Sequence, residues 1–337
     1  MLKLSKIIFF NMMILGTLIA ISSYTWLGMW MGLEINLLSV IPLMNSSKNM
    51  FSSEASLKYF ITQAFASLIL LLSINLMLIT NEFITPMMNS SLVMVLNSAL
   101  LTKLGAAPFH FWFPEVLEGL NWPVCSILLT WQKIAPMVLL INNPLHIKFL
   151  FMIILASLTI STIMSMNQVS LRKIIAFSSI NHIAWLISSL LCSTSIWFIY
   201  LIIYFSITLN ITMIFNAKKI FFINQISAFF NQNKNLKFSL MINFLSLGGL
   251  PPFLGFLPKW LTINWMALHN YHVIAVILIV MTLVMLFIYI RIIMTSLILS
   301  YNEPKFFIAK TSQFLNFMFN FLTLSSLIGC TLMFNFL

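Results

Sequence analysis

The sequence contains no aspartate, and its six acidic residues are all glutamate: Glu34, Glu54, Glu82, Glu115, Glu118 and Glu303. Charged residues of both signs make up 7% of the 337 positions, against about 25% in an ordinary soluble domain. That scarcity excludes a water-soluble core wrapped in a polar shell, so lipid must be the solvent for most side chains. Cysteine is nearly missing too. Cys125, Cys192 and Cys330 lie far apart in apolar runs, with no C-x-x-C pair. A structural zinc, an iron–sulfur cluster and a disulfide framework therefore lack support, and the three read as buried apolar side chains. No glycine-rich phosphate loop is present, and no two apolar segments carry the facing histidines that a membrane haem requires.

What is abundant is hydrocarbon: 61% of the residues are hydrophobic. About twenty apolar residues are needed to cross a bilayer. Such runs fall near 7–26, 26–43, 57–79, 90–113, 122–140, 147–166, 172–192, 196–216, 238–268, 273–299 and 313–336. The expectation is an all-α polytopic membrane protein of about eleven transmembrane helices, with 1–337 as a single membrane domain. The first run is too long for a secretory signal core and is followed by no small-x-small cleavage site, so it reads as a permanent span. No Arg/Ser-rich transit peptide precedes it, as expected of a chain made inside the organelle that holds it.

The net charge of +11 is a topology signal rather than a nucleic-acid footprint. With eleven crossings, the face bearing the amino terminus collects Lys3, Lys6, Lys48, Lys58, Arg172, Lys173, Lys218, Lys219, Lys234, Lys237, Lys305 and Lys310, while the other face collects only Lys148. The positive-inside rule puts the first face on the cytoplasmic or matrix side, with the carboxyl terminus opposite. Between the spans, Ile220 to Phe230 is apolar and aromatic, and is expected to lie along the membrane surface.

Two spans carry the same unusual interruption. Gly105-Ala-Ala-Pro108-Phe109 is followed four residues later by Pro114-Glu115, and Gly249-Leu-Pro-Pro252-Phe253 by Pro258-Lys259. Both fit G-x2-P-F-x4-P followed by a charge, 144 residues apart. Broken helices in corresponding positions of two halves are the sequence mark of an inverted-repeat transporter. Their freed backbone groups are tolerable only where protein or water meets them. Residues 1–140 (spans 1–5) and 147–299 (spans 6–10) are the expected halves, with 313–336 appended.

Four charges fall within spans: Glu34 in span 2, Lys103 before the first break, Lys133 in Trp131-Gln-Lys133-Ile-Ala-Pro136, and Lys259 after the second break. Each costs about 2.5–3.5 kcal/mol at that depth on insertion scales, so a function is expected of them. Burial disfavours the charged form of either group and pairing favours it. A glutamate–lysine pair that opens and closes can therefore switch a lysine between protonation states, as a proton relay requires. Static pairing that only fixes helix register is the bland alternative. His182 could bridge two lysine sites or be a hydrogen-bonded bystander. His110 is a weaker candidate for the same path, Arg291 is expected to snorkel, and Lys58 to anchor a span entrance.

Taken together, several motifs closely resemble the antiporter-like subunit 2 family of mitochondrial NADH:ubiquinone oxidoreductase (respiratory complex I), over essentially the whole chain. They are Lys103-Leu-Gly-Ala-Ala-Pro-Phe-His-Phe-Trp-Phe-Pro-Glu115, Trp131-Gln-Lys-Ile-Ala-Pro136, Gly248-Gly-Leu-Pro-Pro-Phe-Leu-Gly-Phe-Leu-Pro-Lys259, Met-Gly-Leu-Glu34-Ile-Asn and Ser-Leu-Arg172-Lys-Ile-Ile-Ala-Phe-Ser-Ser-Ile-Asn-His182. The resemblance implies a proton-pumping subunit in the shortened animal form, which lacks three leading helices. It makes Glu34 and Lys103 the first-half pair, Lys133 the bridging lysine and Lys259 the second-half lysine. It also implies the mitochondrial inner membrane, with a matrix-side amino terminus and an intermembrane-space carboxyl terminus. The partners implied are the other membrane subunits of complex I and phospholipids, and no nucleic acid. No cofactor is expected on this chain, since NADH, FMN, iron–sulfur clusters and ubiquinone belong to other subunits. Richness in Met, Phe, Ile and Asn resembles the product of an AT-rich animal mitochondrial genome such as an insect's. Between the halves only Lys133 and His182 stand out as titratable, so water is expected to complete any path. The competing readings are a stand-alone cation/proton antiporter of the same ancestry and a purely structural membrane subunit.

Overall fold

The computed structural model describes residues 4–46, 49–79, 90–144, 146–230, 234–251, 253–298 and 321. They form α1 (Leu4–Ser22), α2 (Trp26–Met44), α3 (Met50–Ile79), α4 (Ser90–Leu104), α5 (Trp112–Gly119), α6 (Trp122–Leu129), α7 (Trp131–Asn142), α8 (Ile147–Met166), α9 (Leu171–Cys192), α10 (Thr194–Lys218), α11 (Ile223–Phe230), α12 (Lys234–Gly248), α13 (Phe256–Leu268) and α14 (His272–Ile298). No strand occurs among the described residues, as the hydrocarbon interior demands of an open chain. Eight helical segments are long and apolar enough to cross a membrane, with α6 and α7 counting as one. The expected span at 313–336 lies outside the described residues.

The fourth and ninth predicted spans are the pairs α4/α5 and α12/α13. Each leading limb has 15 residues, or about 22 Å of helix, too short to cross alone. Each ends in the same way. Gly105 has φ 74° and Gly249 φ 78°, the left-handed region that favours glycine. The amide of Ala106 bonds the Leu101 carbonyl at 3.1 Å, and that of Leu250 bonds Leu245 at 3.3 Å, the long bond of a Schellman termination. The second limb of the first pair runs to Gly119, six residues past the predicted end of the span.

The 144-residue offset extends beyond the breaks. Ser90 and Lys234 start the leading limbs, Leu104 and Gly248 end them, and Trp112 and Phe256 open the second limbs. Met50 and Thr194 begin α3 and α10 at the same offset, and Ser22 and Met166 close α1 and α8. One helical plan is thus written twice.

The chain divides within α8 into two compact units, the first through Ala156 and the second from Ser157. In the second unit α9 is the axis, with every residue from Ile174 to Leu190 buried. A helix buried on every face, polar residues included, is the core of its unit. Outward faces stay apolar at helical spacing, as with Val276, Val280, Leu283 and Phe287 of α14. Span 5 departs from expectation. Its backbone leaves helical geometry at Thr130 (φ −116°, ψ −75°) and divides the span into α6 and α7. The Thr130 hydroxyl bonds the Ser126 carbonyl at 2.7 Å, a side-chain competition that bends helices. The apolar stretch after Ile220 forms the short helix α11.

Candidate functional site

In the first unit, α2, α3, α4, α5, α6 and α7 enclose one small polar cavity. Asn36, Tyr59, Gln63, Lys103, Gln132 and Lys133 supply its polar lining, and Leu33, Leu37, Trp112 and Phe113 much of the rest. It is large enough to admit water. Lys103 lies in the last turn of α4, and Lys133 in the first turn of α7. Both are buried, at 7% and 2% exposure, so neither reaches out to an interface.

The surrounding backbone explains why those lysines stand there. The carbonyls at the end of α4 accept from neutral donors: Thr102 from the Trp112 indole at 3.1 Å, and Lys103 from the Gln63 amide at 3.4 Å. Asn36 and Gln132 exchange two hydrogen bonds of 3.0 Å and tie α2 to the residue before Lys133. Pro136, four residues beyond Gln132, removes the helical donor that would have used the Gln132 carbonyl. The Lys133 ammonium stands 5.9 Å from the centre of the Phe113 ring.

Glu34 is half-buried on α2 and not part of the cavity lining, although Leu33, Asn36 and Leu37 beside it are. It acts electrostatically on Lys103, and among the described residues the two make no salt bridge within 4 Å. The expected first-half pair is thus in reach but open.

The second unit brings Lys259, His182 and a set of aromatic hydroxyls together. Lys259, 6% exposed, donates to the carbonyls of Leu247 at 2.9 Å and Gly248 at 3.1 Å, across the second break. Its ammonium stands 5.7 Å from the Trp185 ring centre. Trp185 stacks on Tyr200 (6.5 Å, 14°), whose hydroxyl shares a 2.9 Å hydrogen bond with His182 Nδ1. Tyr204 lies 5.0 Å from the His182 ring. Asn181 Oδ1 and Trp185 Nε1 are buried in this unit with no hydrogen-bond partner among the described residues, and such groups are where internal water is held.

Outside these clusters the charges behave differently. His110 is buried against Phe111, with Nδ1 3.3 Å from the Pro108 carbonyl, and does not line the cavity. Lys58 bridges Glu54 at 3.0 Å and Glu115 at 2.9 Å, with all three side chains largely exposed. Arg291 donates to the Met166 carbonyl at 2.9 Å, at the end of α8. Residue reading alone missed Asn36, Gln63, Gln132, Tyr59 and Tyr200. Uncharged polar residues within apolar runs were the signal available for them.

Comparison with known proteins agrees with this architecture. Residues 23–286 match the family model described as NADH:quinone oxidoreductase/Mrp antiporter, TM. NADH-ubiquinone oxidoreductase chain 2 of Anopheles gambiae is 44% identical over 97% of each chain, and that of Aedes aegypti 47% identical over 99% of each. Among solved structures, a chain of respiratory complex I from Thermus thermophilus aligns with a TM-score of 0.85 at 20% identity, covering 97% of this chain and 78% of that one. A chain of the Mrp complex from Dietzia sp. gives 0.78 at 16% identity, covering 89% and 61%. The chain belongs to the NADH:quinone oxidoreductase/Mrp antiporter transmembrane family.

Proposed function

We propose that this chain is a proton-translocating membrane subunit of the respiratory NADH dehydrogenase, complex I, and couples NADH-to-ubiquinone electron transfer elsewhere in the complex to proton movement. It is a multi-pass inner-membrane protein and works among the other subunits of complex I. The observation that carries the reading is the burial of Lys103 and Lys133 in one cavity of the first unit, with uncharged polar side chains lining it beside them. A buried lysine beside a cavity can hold a proton at Nζ and pass it to water, and a change in distance to Glu34 changes how firmly it is held. In this reading Glu34 and Lys103 receive the proton, Lys133 bridges, and Lys259 holds it at the far end. His182, oriented by Tyr200, relays between them.

The same reading takes 1–140 and 147–299 as the two halves, with 313–336 appended. Charge bias supports a matrix amino terminus and an intermembrane-space carboxyl terminus. The exposed apolar faces suit phospholipid. The chain has no redox chemistry or cofactor of its own, and NADH, FMN, iron–sulfur clusters and ubiquinone act on other subunits.

Lys103→Met tests the proposal. Native gels are expected to show an assembled complex, while proton pumping per NADH oxidised falls sharply, since a positioned proton carrier contributes on the order of a hundredfold or more. Assembly with full pumping would overturn it and favour a structural role.

A further inference from the structure

A buried ammonium needs a counter-charge, and the described residues of the second unit include no carboxylate. Between Glu118 and Glu303 the sequence contains no acidic residue, so α8 to α14 carry none. At the position 144 residues beyond Glu34 stands Ser178. Yet Lys259 is 6% exposed and has two short hydrogen bonds, both to backbone. Its acceptors, Leu247 and Gly248, are the last two residues of α12, where unused carbonyls and the negative end of the helix dipole coincide.

Gly249 makes that approach possible. A Cβ there would sit 2.7 Å from Lys259 Cδ and 2.9 Å from Nζ, in the space the side chain occupies. Its φ of 78° strains any other residue at the position as well. The Trp185 ring face supplies a second site of negative potential.

We propose that the carboxyl-terminal end of α12 is the counter-charge of Lys259, and that Gly249 is the positioning residue that holds the ammonium on it. The charge on Lys259 then fastens the second break, and losing it loosens the end of α12. The inference deepens the proton-carrying reading of Lys259 and rests on it for its purpose, though not for its structural content. The titratable groups that the packed helices bring to this neighbourhood are His182 from α9, Tyr200 and Tyr204 from α10, and Tyr289 from α14. None of them is an acid that ionises at neutral pH.

The test is amide hydrogen exchange in the intact complex, read over the peptide containing Gly249 and Leu250. Their amides bond the Leu245 and Ser246 carbonyls. Lys259→Met is expected to speed exchange there about tenfold, as removal of a partly buried cation from a helix end predicts. Exchange equal to that of the unaltered complex overturns the inference. Should Lys259→Met fail to assemble, Gly249→Ala serves instead. Displacing the ammonium should speed exchange of the same peptide by a comparable factor, because the helix end loses its cation. Unchanged exchange overturns the inference. Faster exchange with undiminished pumping in Lys259→Met would keep the counter-charge and remove the proton-carrying reading, so the two fail separately.

Discussion

The two breaks share their residue spacing, their glycine geometry and their terminating hydrogen bonds, but they hold their lysines differently. At the end of α4 the carbonyls are met by neutral donors, Trp112 and Gln63. Lys103 is not spent on the helix end. It lines a cavity with a glutamate in electrostatic reach and no closed salt bridge. At the end of α12 the ammonium of Lys259 is itself the cap. A lysine that caps a helix is held in one place by two acceptors, whereas a lysine that lines a cavity near an unbridged carboxylate can exchange partners. The lesson is that equivalent positions in a repeat need not do equivalent work. The position matching Lys259 in the first unit is Glu115, which lies on the surface paired with Lys58.

Substitutions can break or sharpen that contrast. The largest effect is expected from Lys133→Met and Lys259→Met. Each should lower proton pumping per NADH oxidised sharply, on the order of a hundredfold or more, while native gels show an intact complex. Gln132→Leu should come next. It leaves Asn36 buried with an unsatisfied amide, at a cost of about 1–3 kcal/mol, read as a lower thermal midpoint of the complex. Trp112→Phe removes only a neutral cap from the first break. It should cost about 1 kcal/mol in the same measurement, a smaller disturbance than Lys259→Met makes at the second. The smallest effect belongs to Lys58→Met, since three largely exposed side chains share that cluster and solvent screens them. Its midpoint should stay within error of the unaltered complex.

Much of this was legible in the residues. The G-x2-P-F-x4-P spacing placed both breaks and the 144-residue repeat, because glycine and proline act on the backbone through local sterics. The scarcity of charge singled out Lys103, Lys133 and Lys259, which are buried, and Glu34, which is half-buried, since hydrocarbon makes any such residue conspicuous. The break at Thr130 was not legible. A hydroxyl bonding its own helix has the same sequence in a straight span and a bent one. The reciprocal pair of Asn36 and Gln132 was hidden because its partners are 96 residues apart. The acceptors of Lys259 left no residue signature, for a backbone carbonyl is present at every position. Only the acid-free stretch from Glu118 to Glu303 hinted that a carboxylate would not serve.

In the proposed mechanism the complex uses a protonatable lysine held beside the buried cavity, and a lysine at the exposed surface does not serve. The most direct measurement sets Lys103→Met beside Lys58→Met in matched membrane vesicles and compares protons moved per NADH oxidised. The account predicts a sharp loss for the first and the unaltered ratio for the second. Equal ratios in the two would contradict it.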